Sequence, residues 1–579
     1  MAFGTLIGLS VTIIVKSPAC LEFWEKSPIY QVYPRSFKDC DAAEWPDRVA
    51  ESQNNLDVPN ICGDGIGDLL GLIQKLDYLD ELGIKVIWIN PIYLSPQRDF
   101  GYDVSDYYHI DPQFGTDEDI ELLIVEMHKR GMKLLMDFVP NHTSIEHKLF
   151  TDSVNRTVGS EDNYVWVDGD KPDGCALIET EGIDKGLPNE ACNQCGEKCP
   201  NNWQSVFAKN DPTILPAWTY HPKREQYYYR AFSSFQPDLN LRNPAVEQEL
   251  QNIIAFWLDK GVDGFRVDAV GYAFENEDLR DEVKKDEDQE GYWSNLYHDF
   301  TYEVGTFHDI LLGFRKVMES YSTEPGVDRM MITEATSFRT VADLMRYYGV
   351  YGQNEADFPM NFGLMELGMV DNGGSVNNEL INKTISDWME AMPDGRVPNW
   401  IISSHDESRI LSRHADLKLD EENRKRLAKS FALLLMTLPG TPFVYYGQEL
   451  GMIDLTPEDH PTECQVDVQE DSRDKNRSPM RWSDPTQDNA GFSDCSAPPE
   501  QSGNCSSCPW LPIGADKTSY GTQKDDPDSV FRYYQWLIKD VRLEDEFTRG
   551  EFCLSANKRY KPEDQLQNYF RLVINLTLE

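Results

Sequence analysis

Residues 264–270 read GFRVDAV. Most of this stretch suits a buried strand, yet Arg266 and Asp268 stand two apart within it. Strand side chains alternate between faces, so these two charges point the same way. Buried charge is costly unless it is paired or used. The stretch follows EQELQNIIAFWLDKG (247–261), which has helical apolar spacing and ends in glycine, a usual stop signal. A helix therefore leads into a buried strand that finishes in charged residues.

The same pattern recurs along the chain. PIYQVYP (28–34), KVIWINPIY (85–93), KLLMDFV (133–139), RMMITEA (329–335), NWIISSHD (399–406) and TPFVYYG (441–447) read as further strands. DLLGLIQKLDYLDELG (68–83) and DEDIELLIVEMHKRG (117–131) read as helices ending in glycine. Repeated β–α alternation implies a parallel sheet wrapped by helices, and at 579 residues a (β/α)₈ TIM barrel leads. The alternative, a doubly wound open sheet, lacks a Gly-rich phosphate loop opening an early helix.

Two stretches break the rhythm. Residues 143–235, after the third strand, are loop-rich and read as an inserted domain. Residues 453–528, rich in Asp, Pro, Ser and Cys, read as a disulfide-bearing insertion. The barrel then takes residues 20–142 and 236–545. Residues 546–579 read as a partial, truncated C-terminal β domain, and 1–19 as an apolar segment, part of a membrane helix or a signal. That apolar run is about 15 residues, short of the roughly 20 a bilayer requires.

A surface with a formal net charge of -45 repels nucleic acid and anionic membrane and favours neutral or cationic partners. The twelve cysteines lie mostly in polar, Gly/Pro-rich stretches, as extracellular disulfides do. CNQCGEKC (192–199) has half the spacing of a zinc site, but no second His/Cys cluster follows, so disulfides are expected. Sequons at Asn155, Asn382, Asn504 and Asn575 agree with a secretory route.

In a barrel, chemistry gathers at the C-terminal ends of the strands. Those ends carry Asp137, Asn141 and His142, then Arg266 and Asp268, then Glu334, then His405 and Asp406. Two close carboxylates cleave a glycosidic bond, one attacking the anomeric carbon and the other protonating the leaving oxygen. Arg266 is expected to keep Asp268 ionised as the attacker. Glu334, with its longer reach and with Asp268 and Asp406 supplying negative charge, is expected to be the acid.

DFVPNH (137–142), GFRVDAV (264–270), ITEA (332–335) and SSHD (403–406) resemble the four signature regions of the α-amylase superfamily of glycoside hydrolases. QPDLN (236–240) resembles its fifth region and GTPFVYYGQELGM (440–452) its last barrel strand. YQVYPRSFKD (30–39), RDFGYDVSDY (98–107), PNNW (200–203) and PMRW (479–482) are similar to animal α-glucosidases and to the heavy chains of heteromeric amino-acid transporters. The resemblance implies a retaining, exo-acting α-glucosidase acting on maltose-type oligosaccharides or sucrose. Asp268 would be its nucleophile, Glu334 its acid/base and Asp406 its transition-state stabiliser. Asp99, Tyr102, His142, Arg266, His405 and Arg409 would hold the terminal glucose. Ala269 matches a small residue of relatives that prefer α-1,4 linkages. Ser404, Arg481 and Gln448 stand where relatives usually carry asparagine, glutamine and glutamate, and none of them removes a catalytic group.

The resemblance also implies a structural calcium ion held by Asn141, Asp238, Glu275 and the carbonyls of Tyr272 and Ala273, all hard oxygen donors. CGDGIGD (62–68) is similar to a second calcium loop, but residues 41–61 interrupt it, and Cys40 and Cys62 at its two ends are read as a disulfide. In the transporter heavy chains a cysteine matched by Cys20 links to the membrane transporter subunit. This implies, as an alternative, a heavy subunit disulfide-linked through Cys20, with or without glucosidase activity. A transglycosylase or isomerase on the same scaffold is a third reading. The expected location is extracellular, or anchored to the plasma membrane with the catalytic domain outside.

Overall fold

The computed structural model describes residues 23–542 apart from residues 49, 51–60, 179–186, 209–215, 287–292, 306, 323–327, 336–339, 350–352, 367–377, 414–419, 457–458, 460–472, 485–487 and 495–508. Eight parallel strands form one sheet: β1 Ile29–Val32, β2 Val86–Ile89, β3 Lys133–Phe138, β4 Gly264–Val267, β5 Met330–Thr333, β6 Phe358–Pro359, β7 Asn399–Trp400 and β8 Thr441–Tyr445. Their spatial order is β6-β5-β4-β3-β2-β1-β8-β7, the order of a (β/α)₈ barrel. Where β7 comes back round to β6, the Asn399 side chain links the two. Its Nδ2 donates to the Pro359 carbonyl at 2.6 Å, and its Oδ1 accepts from Asn361 N–H at 2.8 Å.

The strands lack polar alternation because both faces are covered; β1, β2, β4 and β5 are buried at every residue. Gly264 opens β4 for a steric reason: a Cβ there would lie 2.2 Å from the Met330 carbonyl oxygen of β5. The helix Asp117–Lys129 starts in a capping box between Thr116 and Asp119, and Pro244–Asp259 starts with an Asn243 cap and proline at its first position.

Several elements differ from the sequence expectation. The run 68–83 is two helices, Leu69–Gln74 and Leu76–Leu82, broken at Lys75, whose backbone leaves the helical region. The strand expected over 399–406 is only Asn399–Trp400; the segment beyond it turns into the rim. β6 has no counterpart among the expected strands, since two residues carry no period.

The stretch 143–235 holds a three-stranded antiparallel sheet of Trp166–Val167, Gln226–Tyr229 and Trp218–His221. It has its own core, in which Trp203, Trp218 and Tyr229 pack with Cys175, Cys192 and Cys195. Disulfides join Cys175 to Cys192, Cys195 to Cys199 and Cys40 to Cys62. Cys20, Cys464, Cys495, Cys505, Cys508, Cys553, the N-terminal apolar segment and residues 546–579 lie outside the described residues. Among the described residues no helix is long and apolar enough to cross a membrane.

Candidate active site

β3 and β4 pair with Asp137 opposite Arg266, and both side chains enter the barrel. Arg266 is 1 % exposed and serves three carboxyl groups. Its Nη1 donates to Asp137 Oδ1 at 2.7 Å and to Asp268 Oδ1, and its Nη2 lies 3.0 Å from Glu334 Oε1. Beyond Asp268 the chain turns sharply: Ala269 takes a left-handed conformation (φ 50°), and its N–H donates to Glu334 Oε2 at 3.0 Å. Asp268 and Glu334 thus hang on neighbouring nitrogens of one guanidinium. Glu334 rests on two donors, Arg266 Nη2 and the Ala269 N–H.

Arg266 is not the only influence on Asp268. Burial raises the Asp268 carboxyl well above its ordinary value and Arg266 opposes this, while Glu334 and Asp137 add to the rise. Burial also raises Asp137 to about 6 against the pull of Arg266. One cation shared by three buried acids leaves the cluster able to hold a proton.

Asp406 is the opposite case. Burial pushes its carboxyl up, but His405, Arg473 and Arg477 outweigh this and hold it well below the usual range. Arg473 Nη1 donates to Asp406 Oδ1 at 2.7 Å, and Arg477 Nη2 lies 3.3 Å from the same atom. Burial lowers His405 well below its ordinary value. Gln31 Nε2 donates to His405 Nδ1 at 2.8 Å, which assigns the ring proton to Nε2, 3.0 Å from Asp406 Oδ2. Tyr102 lies parallel to the His405 ring (centroids 5.4 Å apart, planes at 3°). Its hydroxyl bonds Asp137 at 3.1 Å.

Asp99 completes the wall. Arg473 Nη2 donates to its Oδ1 at 2.7 Å and Gln236 Nε2 to its Oδ2 at 2.9 Å, so Arg473 bridges Asp99 and Asp406. His142, lowered by burial to about 4, sits 3.2 Å from Gln236 Nε2. These groups line a cavity of about 670 Å³ that is also lined by the aromatic Phe207, Phe232, Tyr272 and Tyr302.

Of the residues named from sequence, Asp99, Tyr102, His142, Asp268, Glu334, His405 and Asp406 line this cavity, and Arg266 lies directly beneath. Arg409 does not. It is buried behind the rim, its guanidinium over the Tyr445 and Tyr446 rings and its Nη1 donating to the Tyr446 carbonyl at 2.7 Å. Arg473 and Arg477, which sequence reasoning missed, supply the cations it was expected to bring. Two arginines in RDKNR (473–477), inside an acidic stretch just before PMRW, were the available signal.

Asn141, Asp238 and Glu275 come together at the edge of the site. Asn141 Nδ2 lies 3.2 Å from Asp238 Oδ2, and Tyr272 and Ala273 lie in and just beyond the short 3₁₀ turn that follows β4. Burial raises Asp238 well above its ordinary value, and Glu275 adds to the rise. Asp238 is 2 % exposed and has no ion pair among the described residues, so a cation fits its chemistry. Arg242 already pairs with Glu275. At the other candidate loop, Asp39 accepts from the N–H groups of Gly63 (2.7 Å) and Gly65 (2.8 Å), and Asp68 from those of Cys40 (2.8 Å) and Gly71 (2.7 Å).

Residues 31–550 match the model of the α-amylase catalytic domain. The chain belongs to the α-amylase family. Within it the chain is 36% identical to the amino acid transporter heavy chain SLC3A1 of Homo sapiens, over 98% of this chain and 73% of that protein. It is 37% identical to maltase 1 of Drosophila virilis, over 93% of this chain and 75% of that one. Among solved structures, the α-glucosyl transfer enzyme XgtA superposes with a TM-score of 0.71 at 31% identity, covering 91% of this chain and 86% of that one. The Bacillus licheniformis trehalose-6-phosphate hydrolase gives 0.69 at 30%, covering 91% and 85%. The α-amylase family is a family of glycoside hydrolases, and its barrel strands carry the charged rim described above.

Proposed function

We propose that this chain is a retaining, exo-acting α-glucosidase that removes terminal α-1,4-linked glucose from maltose-type oligosaccharides or sucrose. The observation that carries this is the placement of Asp268 and Glu334 on one Arg266 guanidinium, in a cavity bounded on one side by Asp99, Arg473 and Asp406. A polar wall of this kind suits the hydroxyls of one terminal ring. Asp268 attacks the anomeric carbon, and Glu334 gives its proton to the leaving oxygen. Water then attacks the glycosyl–Asp268 ester, with Glu334 taking the proton back. Asp406 stays ionised throughout, and its charge favours the cationic transition state over the neutral sugar. His142, neutral through burial, and His405, beside Asp406, exchange hydrogen bonds with sugar hydroxyls. Small Ala269 beside the nucleophile supports the α-1,4 preference.

The test is release of α-glucose from maltose and sucrose by the purified chain, with Asp268→Asn as control. Equal rates in variant and parent would exclude this mechanism. Transfer to a second sugar, or isomerised sucrose in the products, would select the transferase reading, for which the likeness to XgtA speaks.

A second reading has its own support. The SLC3A1 proteins match over 98% of the chain and maltase 1 over 93%. In that reading Cys20 bonds a membrane transporter subunit, and the chain sits at the plasma membrane with its barrel outside. A complex that separates on reduction and is lost in Cys20→Ser supports it; an unchanged complex in that variant refutes it. We also assign Asn141, Asp238, Glu275 and the carbonyls of Tyr272 and Ala273 to a structural calcium ion that neutralises Asp238. A melting temperature that does not change with chelator or added calcium would count against this assignment.

A further inference from the structure

Asn155 and Asn382 head sequons within the described residues and reach the surface to different extents, whereas the sequon asparagines Asn141 and Asn476 are buried. A glycan can stay on an asparagine of a folded chain only if the amide nitrogen faces solvent and the sugar has room. Asn382 lies inside the helix Asn378–Ala391, with its side-chain oxygen buried and without a hydrogen-bond partner. Asn382 is only half-exposed and sits within a regular helix, with no outward turn to present its amide.

Asn155 is exposed at the C-terminal end of the helix Lys148–Val154. Arg156 next to it takes a left-handed conformation (φ 52°), and the Thr157 N–H donates to the Asp152 carbonyl at 2.9 Å, so the three sequon residues form an outward turn. Arg156 is tied down by its Nη2, which donates to the Arg224 carbonyl (3.2 Å) and to Gln226 Oε1 (3.1 Å). Asn155, Arg156 and Thr157 are all exposed. Val158, which follows, is 94% exposed, an apolar side chain left in water at the tip of the turn. No residue of this turn lines the catalytic cavity.

We propose that Asn155 carries an N-linked glycan that covers the Val158 tip of the inserted domain, and that Asn382 carries none. This rests on the extracellular placement proposed above, not on the glucosidase reading. A glycan at Asn155 also removes this face from any partner-docking surface while leaving the cavity open.

The test is to secrete the full chain from a eukaryotic host and map peptides after enzymatic removal of N-glycans in heavy-oxygen water, which converts each occupied asparagine to labelled aspartate. The expected result is label at Asn155 and none at Asn382. Asn155→Gln and Thr157→Ala should each remove one glycan, and sugar cleavage by Asn155→Gln should match the parent. An unmodified Asn155 in folded, secreted protein overturns the proposal, and so does label at Asn382. Because glucose release is measured on the same sample, failure of the glycan site and failure of the enzymatic reading are told apart.

Discussion

Replacing Arg266 by lysine tests the central reasoning most sharply. The guanidinium spans Asp137 at 2.7 Å and Asp268 through one nitrogen and Glu334 at 3.0 Å through the other. A lysine ammonium is a point donor and cannot hold this fork. At least one charge-assisted contact is lost, at about 1.5–3 kcal/mol each. If that loss falls on the transition state, kcat/KM drops by roughly 10- to 200-fold. The pH profile also moves. Arg266 is the main force lowering Asp137 and Asp268 against burial. A weaker cation lets both carboxyls keep their protons to higher pH, so the acid limb of the activity profile shifts upward. The assay is glucose release from maltose between pH 4 and 8, scales set by about the range in which carboxyl and imidazole groups titrate, with circular dichroism to confirm folding. A folded Arg266→Lys with parental kcat/KM and an unmoved acid limb would refute the shared-guanidinium account.

Three further outcomes follow from the geometry. Arg473→Ala removes the bridge between Asp99 and Asp406, so KM for maltose should rise about tenfold, worth about 1.4 kcal/mol; an unchanged KM would remove Arg473 from the sugar site. His147 is lowered by burial to about 4, below the roughly 6.5 of an unfolded histidine, so the unfolded chain takes up the proton first and stability falls as pH drops from about 6.5 to about 4. His147→Asn keeps an acceptor for the Leu149 N–H and removes the titration, so the unfolding free energy from denaturant titration should fall less over that range, by about 3 kcal/mol; equal falls in variant and parent would contradict the buried neutral ring. The Cys40→Ser, Cys62→Ser double variant opens a loop with sequence separation 22 and should cost about 3 kcal/mol in denaturant titration, where no loss would mean the loop is held by its other contacts.

The sequence by itself determined the barrel and most of its rim. Each long strand and helix announces itself by a local pattern, and a residue at the end of a strand lies at the rim wherever the barrel closes. That is why Asp268, Glu334, His405 and Asp406 could be named before any coordinates. The two-residue barrel strand Phe358–Pro359 leaves no sequence signal, because pairing with a neighbour, not its own periodicity, makes it a strand. The tertiary structure alone decided which cations serve which acids. Arg409 lies three residues after Asp406 yet turns back onto Tyr445 and Tyr446, while Arg473, more than sixty residues away in sequence, bridges Asp406 to Asp99. It also decided that Arg266 is divided among three carboxyls, so that burial raises Asp268 where sequence proximity predicted the reverse. The physical reason is that charge interactions depend on distance through space and on loss of water, and neither is written in the spacing of residues along a chain.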